Sequence, residues 1–248
     1  MTTRVALVTG GMGGIGSAIC ARLARANGNQ VVANCLPGYD RQDAWLAEMR
    51  AEGLCNIHAV EGDVSDFESA AAMVRKVCAE IGPVDVLVNN AGIVRDNLLR
   101  KMSLAEWLAV INTNLNSAFN VTRNVIDGMC ERGWGRIVNL SSVNGQKGQF
   151  GQTNYSAAKA GIHGFAKALA QEVMRKGVTV NSISPGYVET DMVRSIRKDV
   201  LDRIVAGIPM GRLAKPAEIA GLIAYLASDE AGYITGTNIA INGGMYMT

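Results

Sequence analysis

Histidine is almost missing from this chain: two in 248 residues, His58 and His163. By themselves they cannot build a metal cluster or a serine–histidine pair, because metal sites draw on several ligands. Both read as structural. Cysteine is sparse as well. Cys20, Cys35, Cys55, Cys78 and Cys130 are widely scattered and form no CxxC pair. That usage points to a reducing, cytoplasmic setting with cysteines as small core residues. An excess of one charge is also lacking. With 24 basic and 22 acidic residues, well mixed, the net charge is +2, which leaves no electrostatic footprint for nucleic acid. No apolar run approaches the ~20 residues of a membrane span. The opening MTTRVALVTGG carries one charge and reaches glycine too soon for a secretory signal. Internal repeats, low-complexity tracts and linkers are absent.

What is present is a large apolar fraction, 48%, enough for a sizeable core. It is arranged in a regular alternation. RVALVTG is a short apolar run ending in glycine, and Ile15, Ile19 and Leu23 follow at helical spacing. QVVANC, NIHAVEGDV, VDVLVNNAG, GRIVNLSS, GVTVNSISPG and TNIAING read as further strands. Between them AWLAEMRAEG, ESAAAMVRKVCAEIG and residues 104–132, 155–176 and 216–227 read as helices. Strands alternating with helices call for a parallel sheet, an α/β architecture with helices on both faces. The strands are apolar on both sides, as covered strands are. Residues 186–215 are the most irregular stretch; such a segment after a strand's carboxyl end suits a lid or binding segment.

The first strand–helix turn, VTGGMGGIGSAI, is rich in glycine. Glycine permits tight turns and close backbone approach. The free N–H groups and dipole of the following helix favour an anion such as a pyrophosphate. Two registers fit: Gly11, Gly13 and Gly16 as GxGxxG, or Gly10, Gly14 and Gly16 as GxxxGxG. The context, after the first strand and opening a helix, is what gives the motif weight. Met12 and Ile15 lie in the same turn. A carboxylate ending the second strand would bond a ribose 2′-hydroxyl; Asn34 and Cys35 stand there instead, and Arg41 follows. The missing carboxylate and the arginine favour NADPH over NADH, while Asp40 and Asp43 flank Arg41 and weaken the case.

The stretch SSVNGQKGQFGQTNYSAAK places Ser142, Tyr155 and Lys159 at intervals of thirteen and four residues. Tyrosine and lysine titrate near ~10 unperturbed. On a helix, Tyr155 and Lys159 are i and i+4 and share a face. An ammonium beside the phenol is expected to lower its pKa; a drop of roughly two to three units would bring it within range of neutral pH. Ketone reduction needs a proton at oxygen as hydride reaches carbon, and Tyr155 can supply it. Ser142, after an apolar strand, can hydrogen-bond the same oxygen. Ser141 is the adjacent competitor.

TGGMGGIG, NNAG at Asn89–Gly92, Ser142…Tyr155xxxLys159 and PGYVETDM at Pro185–Met192 together resemble the short-chain dehydrogenase/reductase family, over the whole chain and in order. The resemblance implies one domain over 1–248, a Rossmann-type doubly wound seven-stranded parallel sheet, and a homotetramer. It selects Ser142 over Ser141. It gives Lys159 a second role on the cofactor's ribose hydroxyls and assigns Asn114 to a proton relay through water to Lys159. It places Gly62, Asp63 and Val64 at the adenine, Asn90, Ala91 and Gly92 along the cofactor, and Pro185, Gly186 and Val188 near the nicotinamide. RGWGRIVNLSSVNGQKGQFGQTNYSAAKAG, LRKM and DMVRSIRKDVLDRIVAGIP resemble more narrowly the acetoacetyl-CoA reductases of polyhydroxybutyrate synthesis. That likeness implies an (R)-3-hydroxyacyl product and points to Asp96, Gln149, Phe150, Gln152, Tyr187 and Arg197 for substrate. Phe150 would shorten an acyl pocket and Arg197 would meet a CoA phosphate. Two other readings stay open. Arg132 and Arg175 could serve an acidic acyl carrier protein. A cofactor-sensing regulator without chemistry would have no need to keep Ser142, Tyr155 and Lys159 together.

Overall fold

The computed structural model describes residues 3–26, 28–194 and 197–247. Each apolar run settles as a strand whose side chains alternate between two cores. In β1 (Val5–Val8), Ala6 and Val8 enter one core while Val5 and Leu7 enter the other. The remaining strands are β2 (Gln30–Cys35), β3 (Ile57–Glu61), β4 (Val84–Asn89), β5 (Gly135–Leu140), β6 (Val178–Pro185) and β7 (Asn238–Ile241). All pair in parallel, in the order β3-β2-β1-β4-β5-β6-β7.

Helices cover both faces. On one side lie α1 (Gly14–Ala24), α2 (Gln42–Ala51) and, from further along the chain, the helix Pro216–Leu226. They contribute Ile19 and Leu23, Trp45 and Met49, and Ile219, Ile223 and Leu226 to one core. On the other side lie α3 (Phe67–Glu80), α5 (Ser117–Arg132) and α7 (Thr153–Val173). Their Met73, Val74 and Val77, Val121, Val125 and Met129, and Ala166, Ala170 and Val173 fill the second core. Local chemistry sets several ends. Asp66 caps α3 by accepting from Ser69 N at 2.7 Å. Ser103 and Glu106 form a reciprocal capping box at α4 (Leu104–Ile111). Gly133, at φ +69°, closes α5.

The helical pattern over 104–132 is not one helix. A π-helical turn, Asn112–Asn116, separates α4 from α5. The helix read as starting at Tyr155 begins at Thr153, and a short helix, α6 (Val143–Lys147), precedes it. The irregular stretch 186–215 holds two helices, α8 (Asp191–Arg194) and α9 (Lys198–Ala206), ahead of α10 (Pro216–Leu226); Ser195 and Ile196 lie outside the described residues. Among the described residues no helix is long and apolar enough to cross a membrane.

The sheet order reverses between β1 and β4. A crevice opens there, outside the carboxyl ends of the strands, where ligands of open α/β sheets bind. The glycine turn after β1, Asn90–Gly92 after β4, Ser142 after β5 and Gly186 after β6 all follow strand carboxyl ends on that edge.

Candidate active site

The crevice is bounded by the turn after β1 and the loop after β4, and a small set of polar side chains joins them. Thr9 Oγ1 accepts from the N–H groups of Asn90 (2.9 Å) and Ala91 (3.0 Å). Asn90 Nδ2 donates to the carbonyls of Thr9 (2.9 Å) and Gly10 (3.0 Å). Asn34 Oδ1 accepts from Gly10 N, and its Nδ2 donates to Cys35 O and Gly62 O, both at 2.9 Å. Asn34, read from the sequence only as the absence of a carboxylate, therefore ties the glycine turn to the ends of β2 and β3. Thr9 was visible only as the first residue of TGGMGGIG, without its role; the Asn34 brace had no local signal in the sequence.

The glycine turn has room for a ligand only because side chains are missing. Gly10 takes φ +59°, and a Cβ at Gly16 would collide with Gly10 O. A Cβ at Gly14 would lie 3.0 Å from Thr190, at the foot of the 186–215 segment, whereas Gly13 has only one neighbour, at 3.6 Å. A Cβ at Gly11 would lie 2.8 Å from Ala33 Cα, so steric demands fall on Gly10, Gly11, Gly14 and Gly16 and spare Gly13. Every glycine of the wider register is constrained, whereas the GxGxxG register includes the one that is not. No side chain caps α1. Its first N–H groups and positive dipole end remain available to an anion, with Met12 buried behind the turn and half-buried Ile15 in the first helical turn. The cradle and the open helix end fit a dinucleotide pyrophosphate.

Further along the edge, Asp63 accepts from Ser65 N and Oγ, and Val64 O accepts from Asn120 Nδ2. Arg41 is exposed at the start of α2, 3.8 Å from Glu48. Pro185 ends β6, and Gly186 N donates to Ile241 O at 3.1 Å.

On the other bank stand Ser142, Tyr155 and Lys159. Ser142 is the N-cap of α6, accepting from Asn144 N at 3.1 Å. Its neighbour Ser141 is buried and turned away; its Oγ donates to Lys159 O and bonds His163 Nε2, each at 2.7 Å. That division gives Ser141 a structural duty and leaves Ser142 beside the phenol. Close approach of α6 to α7 depends on Gly145, where a Cβ would lie 2.8 Å from the Lys159 carbonyl carbon. Tyr155 and Lys159 share a face of α7, with Nζ 5.8 Å from the ring centroid. Lys159 Nζ donates to Leu140 O at 2.7 Å. Asn114, in the π turn, is held by both amide groups: Oδ1 accepts from Ile93 N (2.7 Å) and Nδ2 donates to Ile93 O (2.8 Å). A Cβ at Gly92 would sit 3.2 Å from Asn114 Oδ1 and 3.5 Å from Lys159 Nζ, which shows how tightly these groups converge.

The expected electrostatics are reversed. Desolvation in the crevice pushes the Tyr155 phenol above its ordinary pKa; the Ser142 hydroxyl opposes this and the Asp96 charge adds to it. Burial pulls Lys159 down to about 8. Burial, and not the i, i+4 lysine that predicted a lowered tyrosine, sets the direction. The phenol stays protonated at neutral pH, the form a proton donor needs.

A model of the short chain dehydrogenase family matches residues 4–201. The chain belongs to the short-chain dehydrogenase family. It is 62% identical over 247 residues to acetoacetyl-CoA reductase of Cupriavidus necator, with 100% of both chains covered. It is 59% identical over 245 residues to nodulation protein G of Azospirillum brasilense, covering 99% of this chain and 99% of that one. To 3-oxoacyl-[acyl-carrier-protein] reductase of Pseudomonas aeruginosa it is 45% identical over 250 residues, covering 99% and 98%.

Around this short-chain dehydrogenase crevice the substrate candidates divide. Gln152 Nε2 donates to both oxygens of Asp96 (3.0 and 2.9 Å), and Gln152 Oε1 accepts from Asn144 Nδ2 (2.9 Å). The result is a polar chain ending beside Ser142. Asn154 extends it, donating to Arg95 O and accepting from Tyr155 N. Burial first, then Asp96, also pushes up the Tyr187 phenol, so Asp96, Gln152 and Tyr187 gather near Tyr155. Val188 is buried and bridges to Ala214, pinning the two ends of the 186–215 segment together. Gln149 is engaged by Lys147 Nζ at 3.0 Å. Two of the substrate candidates stand apart from these contacts. Phe150 is 86% exposed, so it does not wall a formed acyl pocket; the turn between α6 and α7 points it outward. Arg197 is exposed and paired with Asp199 at 3.1 Å, so in this conformation its charge is already engaged outside the crevice.

Proposed function

We propose that the protein reduces acetoacetyl-CoA with NADPH to (R)-3-hydroxybutyryl-CoA. The observation that carries this reading is the convergence of Ser142, a protonated Tyr155 and Lys159 across the crevice from the open glycine turn. It is joined to 62% identity with an acetoacetyl-CoA reductase. Bound in the crevice, NADPH supplies the hydride. Tyr155 delivers a proton to the carbonyl oxygen, and Ser142 hydrogen-bonds that oxygen as charge develops. Lys159 holds the cofactor's ribose hydroxyls. Asn114 shapes the relay that resupplies the proton through water to Lys159. Gly10–Gly16 cradle the pyrophosphate; Arg41, with no carboxylate at Asn34 or Cys35, receives the 2′-phosphate. Gly62–Val64, Asn90–Gly92, Pro185, Gly186 and Val188 line the remainder of the cofactor. Asp96, Gln149, Gln152 and Tyr187 meet the acyl and pantetheine groups. Arg197 reaches a CoA phosphate on closure of the 186–215 lid over the single 1–248 domain, and Phe150, at the exposed turn between α6 and α7, meets the substrate at the rim.

The product is the thioester unit that polyhydroxybutyrate synthesis consumes, and the setting is cytoplasmic. The reading includes a homotetramer. Phe119 on α5 is exposed and stacks on Phe67 with ring centroids 6.0 Å apart, and Leu104 and Leu108 on α4 are exposed as well. α7 presents Ala157, Ala160, Gly164 and Ala168 to solvent. Both surfaces suit two-fold helix packing.

The carrier-protein reading draws support from the Pseudomonas relative. Against it, Arg132 is occupied, donating to Val84 O at 2.7 Å and pairing with Asp85 at 3.1 Å. A regulator without chemistry has no use for the assembled trio. The test is NADPH consumption with acetoacetyl-CoA by wild type and Tyr155→Phe, with chiral analysis of the product. Turnover in the wild type, lost by roughly 10²–10⁴-fold in the variant, supports the reading. No turnover in the wild type, or an (S) product, contradicts it.

A further inference from the structure

The cofactor reading rests partly on a missing carboxylate at the end of β2. The structure returns one from the neighbouring strand. Glu61 ends β3, and its register partner is Cys35, the last residue of β2. Its side chain is exposed, and Oε1 accepts from the backbone N–H of Gly38 at 3.2 Å. Gly38 lies in the loop between β2 and α2, with φ +73° and no atom near a would-be Cβ. The same loop carries Arg41 and is folded by Tyr39 N bonding Leu36 O and Gln42 N bonding Tyr39 O. Asn34 joins the strand before it to Gly10 and Gly62, so the loop is fixed relative to the glycine cradle.

We infer that Glu61 is a cofactor-discriminating residue, whose carboxylate occupies the Gly38 N–H and competes with a 2′-phosphate for the loop after β2. The inference rests on the NADP(H) reading and deepens it. An exposed loop N–H next to an arginine is a donor suited to a phosphate oxygen. Here an anionic oxygen of the chain itself holds it. Among the described residues Glu61 forms no ion pair. The nearby arginine, Arg41, lies against Glu48 instead. The Glu61 charge is felt at the strand end, where it adds to burial in raising the Cys35 thiol. Asp40 and Asp43 add to the negative surroundings. A 2′-phosphate must displace or tolerate Glu61, whereas a 2′-hydroxyl need not. Because the group is exposed, solvent screens it and the effect is modest, about two- to fivefold.

The experiment uses the intact protein and two adenosine probes that lack nicotinamide: adenosine 2′,5′-bisphosphate and AMP. Calorimetric titration compares wild type with Glu61→Gln and Glu61→Ala. Both variants are expected to bind the bisphosphate about two- to fivefold more tightly, with AMP affinity unchanged. The gain should shrink in about 1 M salt. In steady state the KM for NADPH falls while that for NADH stays. Unchanged or weaker bisphosphate binding in both variants would overturn the inference, and weaker binding would make Glu61 a support of the phosphate loop. Equal shifts for both probes would make its role merely structural. Failure of the wild type to bind NADPH at all would instead sink the cofactor reading, and the inference with it.

Discussion

Tyr155 and Lys159 sit in a crevice that desolvates both, and this decides their charge states more than their spacing does. The consequence for Lys159 can be signed. Its folded pKa, about 8, lies below the ordinary lysine value of 10.5. Between those values the unfolded chain holds a proton that the folded one has released. Stability therefore rises with pH from about 8 to about 10.5, and the full cost is present below about 8. Lys159→Met removes that cost but leaves Leu140 O without its donor. The net expectation is a variant more stable at pH 7 by on the order of 2 kcal/mol, with the difference closing towards pH 10.5. Denaturant unfolding at both pH values checks this; a variant less stable at pH 7 contradicts it. The sequence made Ser142, Tyr155 and Lys159 visible through their intervals. It could not show that burial would set the direction of the phenol, because burial is a property of the crevice and not of the spacing.

At the scale of elements, the site depends on how closely α6 meets α7. Gly145 permits that contact, and Gly145→Val should force the backbone of Lys159 away from Ser142. A displacement of about 1 Å at the reacting groups costs on the order of 10²-fold in rate. The variant should lose kcat by that order while binding AMP normally, since the Gly10–Gly16 turn is not touched; a parallel loss of AMP binding would mean general unfolding. Strands and helices were readable because their apolar periods are strong. The break at Asn112–Asn116 was not, since a π turn leaves the helical spacing of Trp107, Val110, Val121 and Val125 almost intact. Gly145 was equally hidden: a glycine needed for packing carries no local pattern. The helices inside 186–215 were read only as irregular chain, although Val200, Leu201, Ile204 and Val205 recur at helical spacing in α9; that apolar face buries none of its residues within the single chain.

Across the whole molecule, the order of strands and helices followed from the alternation of apolar runs, while the sheet order and its reversal at β1/β4 required long-range pairing that no local stretch encodes. Assembly is expected to rest on the exposed α4–α5 and α7 faces. Phe119→Asp should shift sedimentation from tetramer to a smaller species at micromolar concentration, because it places a charge in an apolar contact; an unchanged tetramer would put the interface elsewhere. Substrate choice is also a property of the surface around the crevice mouth, where Asp96, Gln152 and Tyr187 gather; Arg132 is engaged at the amino end of β4, away from that mouth. The most direct test is kcat/KM with NADPH for acetoacetyl-CoA against the acetoacetyl thioester of an acyl carrier protein. A clear preference for acetoacetyl-CoA is the predicted result; a clear preference for the carrier-protein thioester would contradict it.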